Sequence, residues 1–274
     1  MSRLGRFFRF LRAEGRDFPA TYALGAAWLA VYLAMAAWQG TFQATGDWFF
    51  GSISTATSHV FGDQTPRELA YGQFWRALTA TFIHYSLLHL GLNLIGLIQF
   101  GRMVEDWYGS GPLLLLYAVI GFLGNLTSGL LKPWLKFNPT TPSGGGSGVV
   151  VGLIALIAVA GWMSRSRFGN YVRTVMLILL ALTALMGFLF KNLDNLGHAG
   201  GALFGALAGL FHPALSREAD RRFRIIAGLL GVAAILLCAG LQVRANQREA
   251  RAVVAVREAG RMVETYTLLM NVHT

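Results

Sequence analysis

Cysteine and charge are what this chain has least of: one cysteine, Cys238, in 274 residues, and only 13% Asp, Glu, Lys and Arg. A single cysteine makes no intrachain disulfide, and no Cys/His cluster has zinc-site spacing, so a disulfide-stapled domain and a zinc finger are both excluded. Cys238 stands in an apolar run and reads as a small hydrophobe. The charged share is about half that of soluble domains, which argues against a water-exposed globule. No internal repeat and no inverted pair of broken helices is visible, features that a secondary transporter often shows. Behind the basic N-terminus there is no apolar core followed by a small-residue cleavage site, so a signal peptide does not fit.

What is there instead is hydrophobic length. Mean hydropathy is +0.50, with 54% hydrophobic residues and 33 glycines, the composition of an all-α polytopic membrane protein. Spans of about 20 apolar residues are predicted at 20–38, 85–101, 112–131, 147–163, 172–190, 195–212 and 225–242. Pro112 suits the first turn of the third span and Pro213 stops the sixth. The formal charge of +10 does not indicate nucleic acid, because the basic residues lie between the apolar runs, where they set topology in a lipid bilayer. Arg3, Arg6, Arg9, Arg12, Arg16, Arg102, Arg165, Arg167, Arg173, Arg217, Arg221, Arg222 and Arg224 fall on one side when the N-terminus is cytoplasmic. Arg67, Arg76, Lys132, Lys136 and Lys191 fall in the opposite loops. Arg244, Arg248, Arg251, Arg257 and Arg261 fall in a tail on that side, which narrows the contrast but still leaves the N-terminus expected inside.

Three regions follow. Residues 1–19 read as a basic amphipathic segment on the cytoplasmic face, Glu14 and Asp17 counting against a mitochondrial presequence. Residues 20–213 hold six spans, and 214–274 hold a cytoplasmic loop, a seventh span and a tail of mixed Arg and Glu that reads as a solvated helix. The connection from about 40 to 83 is long and carries Trp48, Phe49, Phe50, Phe74 and Trp75, residues that favour the membrane interface.

The chemistry sits at two span beginnings. Ser147, in Gly145-Gly146-Ser147-Gly148, opens the fourth span, and His198, in Gly197-His198-Ala199-Gly200-Gly201, opens the sixth. Polar groups at membrane depth are costly and mark function. With alternating spans both residues enter from the same outer side. Gly148 and Gly152 on one helix face Gly201 and Gly205 on the other, small-residue stripes that permit close approach. A serine and an imidazole are the minimum for nucleophilic hydrolysis, and the free amides of Ser147 and Gly148 at a helix start suit an oxyanion. The plainer alternatives are a serine N-cap and a structural histidine. His89 and Asn93 share a face of the second span, beside His84, and read as oxyanion donors, as a metal site or as an interhelical hydrogen bond. Asp194, four residues before His198, either orients the imidazole or, with Asn195, caps the sixth span.

Taken in order, Trp75-Arg76, His84, His89-x-x-x-Asn93, Gly101-x-x-x-Glu105, the Ser147 motif and the His198 motif resemble the rhomboid family of intramembrane serine proteases over roughly residues 20–213. The resemblance implies a rhomboid-like six-helix core and a Ser147–His198 dyad, with His89, Asn93 and the amides of Ser147 and Gly148 holding the oxyanion. Trp75, Arg76, His84 and Glu105 would be structural. It implies no cofactor and no metal. The implied substrates are transmembrane proteins cut in or near a membrane segment, by an enzyme of a bacterial inner membrane whose site opens outward. Oligomeric state is left open. Some members carry a tyrosine four residues after the nucleophile; here that position is Val151. An inactive rhomboid-like client-binding protein is the other reading.

Overall fold

The structure, a computed structural model, describes residues 14–40, 53–135, 138–190, 193–212 and 220–271, without the side chains of 250 and 252–271. Arg3, Arg6, Arg9, Arg12, Trp48, Phe49, Phe50, Lys136, Lys191, Pro213 and Arg217 lie outside the described residues. Ten helices carry the argument: α1 (Pro19–Gln39), α2 (Thr55–Phe61), α3 (Pro66–Ala70), α4 (Arg76–Thr79), α5 (Leu87–Tyr108), α6 (Ser110–Trp134), α7 (Ser147–Met163), α8 (Arg167–Leu189), α9 (Asn195–Gly209) and α10 (Arg221–Asn271). Among the described residues there is no strand, only an isolated antiparallel bridge between Gln64 and Ser143.

A helix stands on each of the seven segments expected to cross the bilayer. Five, namely α1, α5, α6, α8 and the Arg221–Glu249 part of α10, are long and apolar enough to do so. The other two are short: α7 has 17 residues and α9 has 15. The chain is an all-α polytopic membrane protein. Its two short helices are the ones that begin with Ser147 and, one turn in, His198. A helix shorter than the hydrocarbon thickness starts or ends beneath a surface, and irregular backbone at that depth is tolerated only when buried in protein. α7 meets this condition. Val149, Leu153, Leu156 and Ile157 are fully buried, so it is apolar all round and central.

α8 and α10 each begin about a turn before the expected 172 and 225, at Arg167 and Arg221, and two boundaries differ by more. α5 does not stop at 101 but runs through a π-helical stretch, Leu97–Gly101, to Tyr108. An acidic residue in this added stretch is almost fully buried. Glu105 accepts from the amides of Ala20 (2.9 Å) and Thr21 (2.8 Å) and from Thr21 Oγ1 (2.7 Å), capping α1 just behind Pro19. Ser110 Oγ adds a fourth bond at 2.6 Å. The carboxylate thus satisfies amides that a helix start leaves open, in a place without water. Glu105→Ala is expected to lower stability by about 3 kcal/mol, because bonds to a charged acceptor are lost and amides are stranded; denaturant unfolding in detergent reads this directly. An unchanged midpoint would show that the cap contributes nothing.

The second difference is α10, one continuous helix to Asn271 where a separate tail was expected after Gln242. That stretch is rich in Ala, Arg and Glu, all good helix formers, and has no proline to stop it.

The loop helices α2 to α4 cover the end of the bundle where α7 and α9 begin. Arg76, fully buried, staples this loop. It donates through Nη1 to the carbonyls of His59 (3.0 Å) and Asp63 (2.9 Å) and through Nε to Gln73 Oε1 (2.6 Å). Beneath it, Trp28 Nε1 donates to Tyr117 OH at 2.7 Å, and that hydroxyl meets Thr81 Oγ1 at 2.9 Å.

Candidate active site

The Ser147 loop is held at Ser143, Gly145 and Gly146 before α7 begins. Ser143 exchanges both backbone bonds with Gln64, at 3.0 and 2.7 Å. Gly145 donates to the carbonyl of Ala80 at 2.9 Å and has φ +133°, a conformation that favours glycine. Gly146 N donates to His84 Nε2 at 3.4 Å. A Cβ on Gly146 would fall on the Trp28 ring, so this turn packs backbone against indole. α7 then begins at Ser147 with no side-chain cap, leaving the first-turn amides free of the helix ladder.

α9 brings the imidazole. Its glycine face lies directly on α7: a Cβ on Gly201 would meet the carbonyl oxygen of Gly148, and one on Gly205 that of Gly152. At this separation His198 Nε2 is 2.8 Å from Ser147 Oγ. A serine hydroxyl donating to Nε2 places the ring proton on Nδ1, and Nδ1 has no hydrogen-bond partner among the described residues. Val151 is buried in the same helix as Ser147.

Asp194 does not touch the His198 ring. It caps α9, accepting from Gly197 N at 3.1 Å, while its backbone carbonyl accepts from His198 N at 3.0 Å. Its carboxylate also gathers Ser128 Oγ (2.7 Å), Lys132 Nζ (3.2 Å) and Ser143 Oγ. Burial alone would raise this carboxyl's pKa, but Lys132, the two hydroxyls and the Gly197 amide outweigh it and hold the group below its ordinary value. One carboxylate thereby ties α6, the Ser147 loop and the start of α9. Ser128, Lys132 and Ser143 escaped the sequence reading. Lys132, closing an apolar run while buried, was the one available signal.

His84 and His89 flank the serine from α5 and the turn before it. The backbone amide of Tyr85 donates to His89 Nδ1 at 3.4 Å; an amide can only donate, so the His89 proton sits on Nε2. That edge faces the Ser147 loop. A Cβ placed on Gly145 would be 2.9 Å from His89 Nε2 and 3.7 Å from Ser147 Oγ. By the same argument Gly146 N fixes the His84 proton on Nδ1, which meets Phe82 O at 3.3 Å. Asn93 is buried, and its Nδ2 donates to His89 O at 2.9 Å, which occupies one of its two amide hydrogens. Trp75 Nε1 bonds Gln242 on α10 at 3.0 Å, a partner that spacing alone did not reveal. Among the described residues no group of three or more His, Cys, Asp or Glu is arranged to hold a metal ion.

The comparisons agree on one family. A family model described as Rhomboid domain matches residues 71–214. The chain is 32% identical over 158 residues to Rhomboid protease GluP of Bacillus subtilis (strain 168), covering 58% of this chain and 30% of that protein. It is 29% identical over 155 residues to Rhomboid-like protease 3 of Toxoplasma gondii, covering 56% and 57%. With Putative rhomboid protease YdcA of Bacillus subtilis the figures are 27% over 180 residues, covering 64% and 86%. The chain thus spans about a third of the first of these relatives and rather more than half of the second.

Proposed function

The chain belongs to the rhomboid family, and on that footing we propose that it is an intramembrane serine endopeptidase that cuts transmembrane proteins in or near a membrane segment. The observation that carries the reading is the 2.8 Å contact between Ser147 Oγ and His198 Nε2 where the starts of α7 and α9 meet. Ser147 Oγ attacks the scissile carbonyl carbon while its proton passes to His198 Nε2. The imidazolium then gives that proton to the leaving amine, and an ester to Ser147 remains. Water, its proton taken by His198, hydrolyses the ester and restores the serine.

The oxyanion is held by the first-turn amides of Ser147 and Gly148, with the His89 Nε2–H beside them. The second hydrogen of Asn93 Nδ2 is the fourth donor in this reading. Trp75, Arg76, His84 and Glu105 support the site without touching the reacting atoms. No cofactor takes part. A substrate helix must open to present its peptide bond, and unsatisfied backbone groups in lipid cost several kcal/mol each. Cleavage therefore favours segments with glycine, proline or polar residues. The distribution of Lys and Arg supports a cytoplasmic N-terminus and a site open to the outer face of a bacterial plasma membrane.

The alternative, a client-binding protein without activity, fits less well with a serine and an imidazole kept within proton-transfer reach. A fluorophosphonate probe separates the two. The protein is expected to be labelled at Ser147, with labelling lost in His198→Ala. Equal labelling with and without His198, or none in the parent, would sink the dyad.

A further inference from the structure

α10 follows the segment that the family model matches, yet one of its residues is built into the loop over the site. Gln242 is 4% exposed. Its Oε1 accepts from Trp75 Nε1 at 3.0 Å, and its Nε2 donates to Val60 O at 3.2 Å and at longer reach to His59 O. Asn246, one turn on, donates from Nδ2 to the same Val60 carbonyl at 2.7 Å and accepts from Gln242 Nε2 at 3.0 Å. A glutamine at such depth is costly unless satisfied, and here both ends are. Nearer its start α10 packs closely on α6, where a Cβ on Gly111 would meet the Arg224 carbonyl. A cavity of about 850 Å³ lies between α10 and α1, walled by Val31, Phe61, Phe82, Cys238 and Ala239. The amides close its end.

The residues they grip lead to the nucleophile. His59 O is also the acceptor of Arg76 Nη1, which holds Asp63 O as well. Gln64, the next residue, forms the two-bond bridge to Ser143. Ser143 in turn reaches Asp194, the cap of the helix that carries His198, and lies four residues before Ser147.

We propose that Gln242, seconded by Asn246, is a positioning residue for the reaction: α10 sets the height of the loop 53–86 and, through the Gln64–Ser143 bridge, the placement of Ser147 against His198. The inference rests on the endopeptidase reading and deepens it, making α10 a working part of the enzyme.

The test uses the full chain in liposomes with a fluorogenic transmembrane substrate. Gln242→Leu and Asn246→Leu are more apolar than the parent, so insertion is not weakened. Together they are expected to lower kcat roughly three- to twentyfold, the range of hydrogen bonds within membrane bundles, with KM little changed. Trp75→Phe, which keeps the ring and loses the N–H, lowers kcat too and does not add fully to Gln242→Leu. Unaltered kcat in the double variant, or a loss seen in KM alone, overturns the proposal. A second measurement is independent of turnover. In a Ser147→Ala background, amide hydrogen exchange at 59–64 and at 143–147 is expected to quicken together when Gln242 becomes leucine. Unchanged protection at 143–147 overturns the positioning role even if the loop loosens. A parent that cuts nothing sinks the endopeptidase reading, and the exchange arm then decides the coupling by itself.

Discussion

Ser147→Ala and His198→Ala are each expected to reduce the turnover of a transmembrane substrate by about 10⁴- to 10⁶-fold, with the double variant losing no more than the worse single one. Two residues that hand one proton back and forth act as a unit, so removing either removes the step. The 2.8 Å separation is already within transfer range, which means no rearrangement has to be invoked before attack. The measurement is kcat and KM for both singles and the double on the reconstituted protein. Near-additive losses would mean that the serine and histidine act in separate steps. A Ser147→Ala protein retaining more than a small fraction of parental activity would end the mechanism.

Gly205→Leu is expected to cost 1–3 kcal/mol of stability or more and at least about 10² in kcat, far from any reacting atom. The cause is geometric. Even a methyl group there would overlap the Gly152 carbonyl, and at Gly201 it would overlap that of Gly148. α9 must then move off α7, carrying His198 with it, and a displacement of about 1 Å is enough for such a loss. Gly240→Ala is the control. Nothing lies within 4 Å of a Cβ at that position of α10, so stability is expected to hold or rise by a few tenths of a kcal/mol. Thermal unfolding and kcat on the two variants test the pair; equal behaviour would mean that the glycine face does not set the distance.

Much of the site was legible because polar residues stand out against hydrocarbon. Ser147 and His198 were visible as lone polar groups at the heads of apolar runs, and alternation of spans put them at one level. The i, i+4 spacing put His89 and Asn93 on one face, and the structure uses that spacing for the Asn93 bond to His89 O. Asp194 was half legible: capping is what it does, while orientation of the imidazole is not. Of its ties to Ser128, Lys132 and Ser143, only Lys132 had a local signature, a cation closing an apolar run; Ser128 lies inside α6 and Ser143 in the connection before α7. Gln242 looked like the place where a span stops. Its partners stand more than 160 positions away along the chain, at Trp75 and Val60.

Apolar length and helical period already decide that this chain is a bundle of membrane helices, where each starts, and which polar residues sit at the starts. These are local properties: backbone in lipid must satisfy itself within a few residues, and only a helix does so along a single segment. Tertiary packing alone decides how close those starts come. The glycine face that seats α9 on α7, the carboxylate of Asp194 joining three elements, and the amide of Gln242 reaching into the loop are contacts between distant positions. No period in the chain encodes them, because each partner answers to the geometry of a different helix.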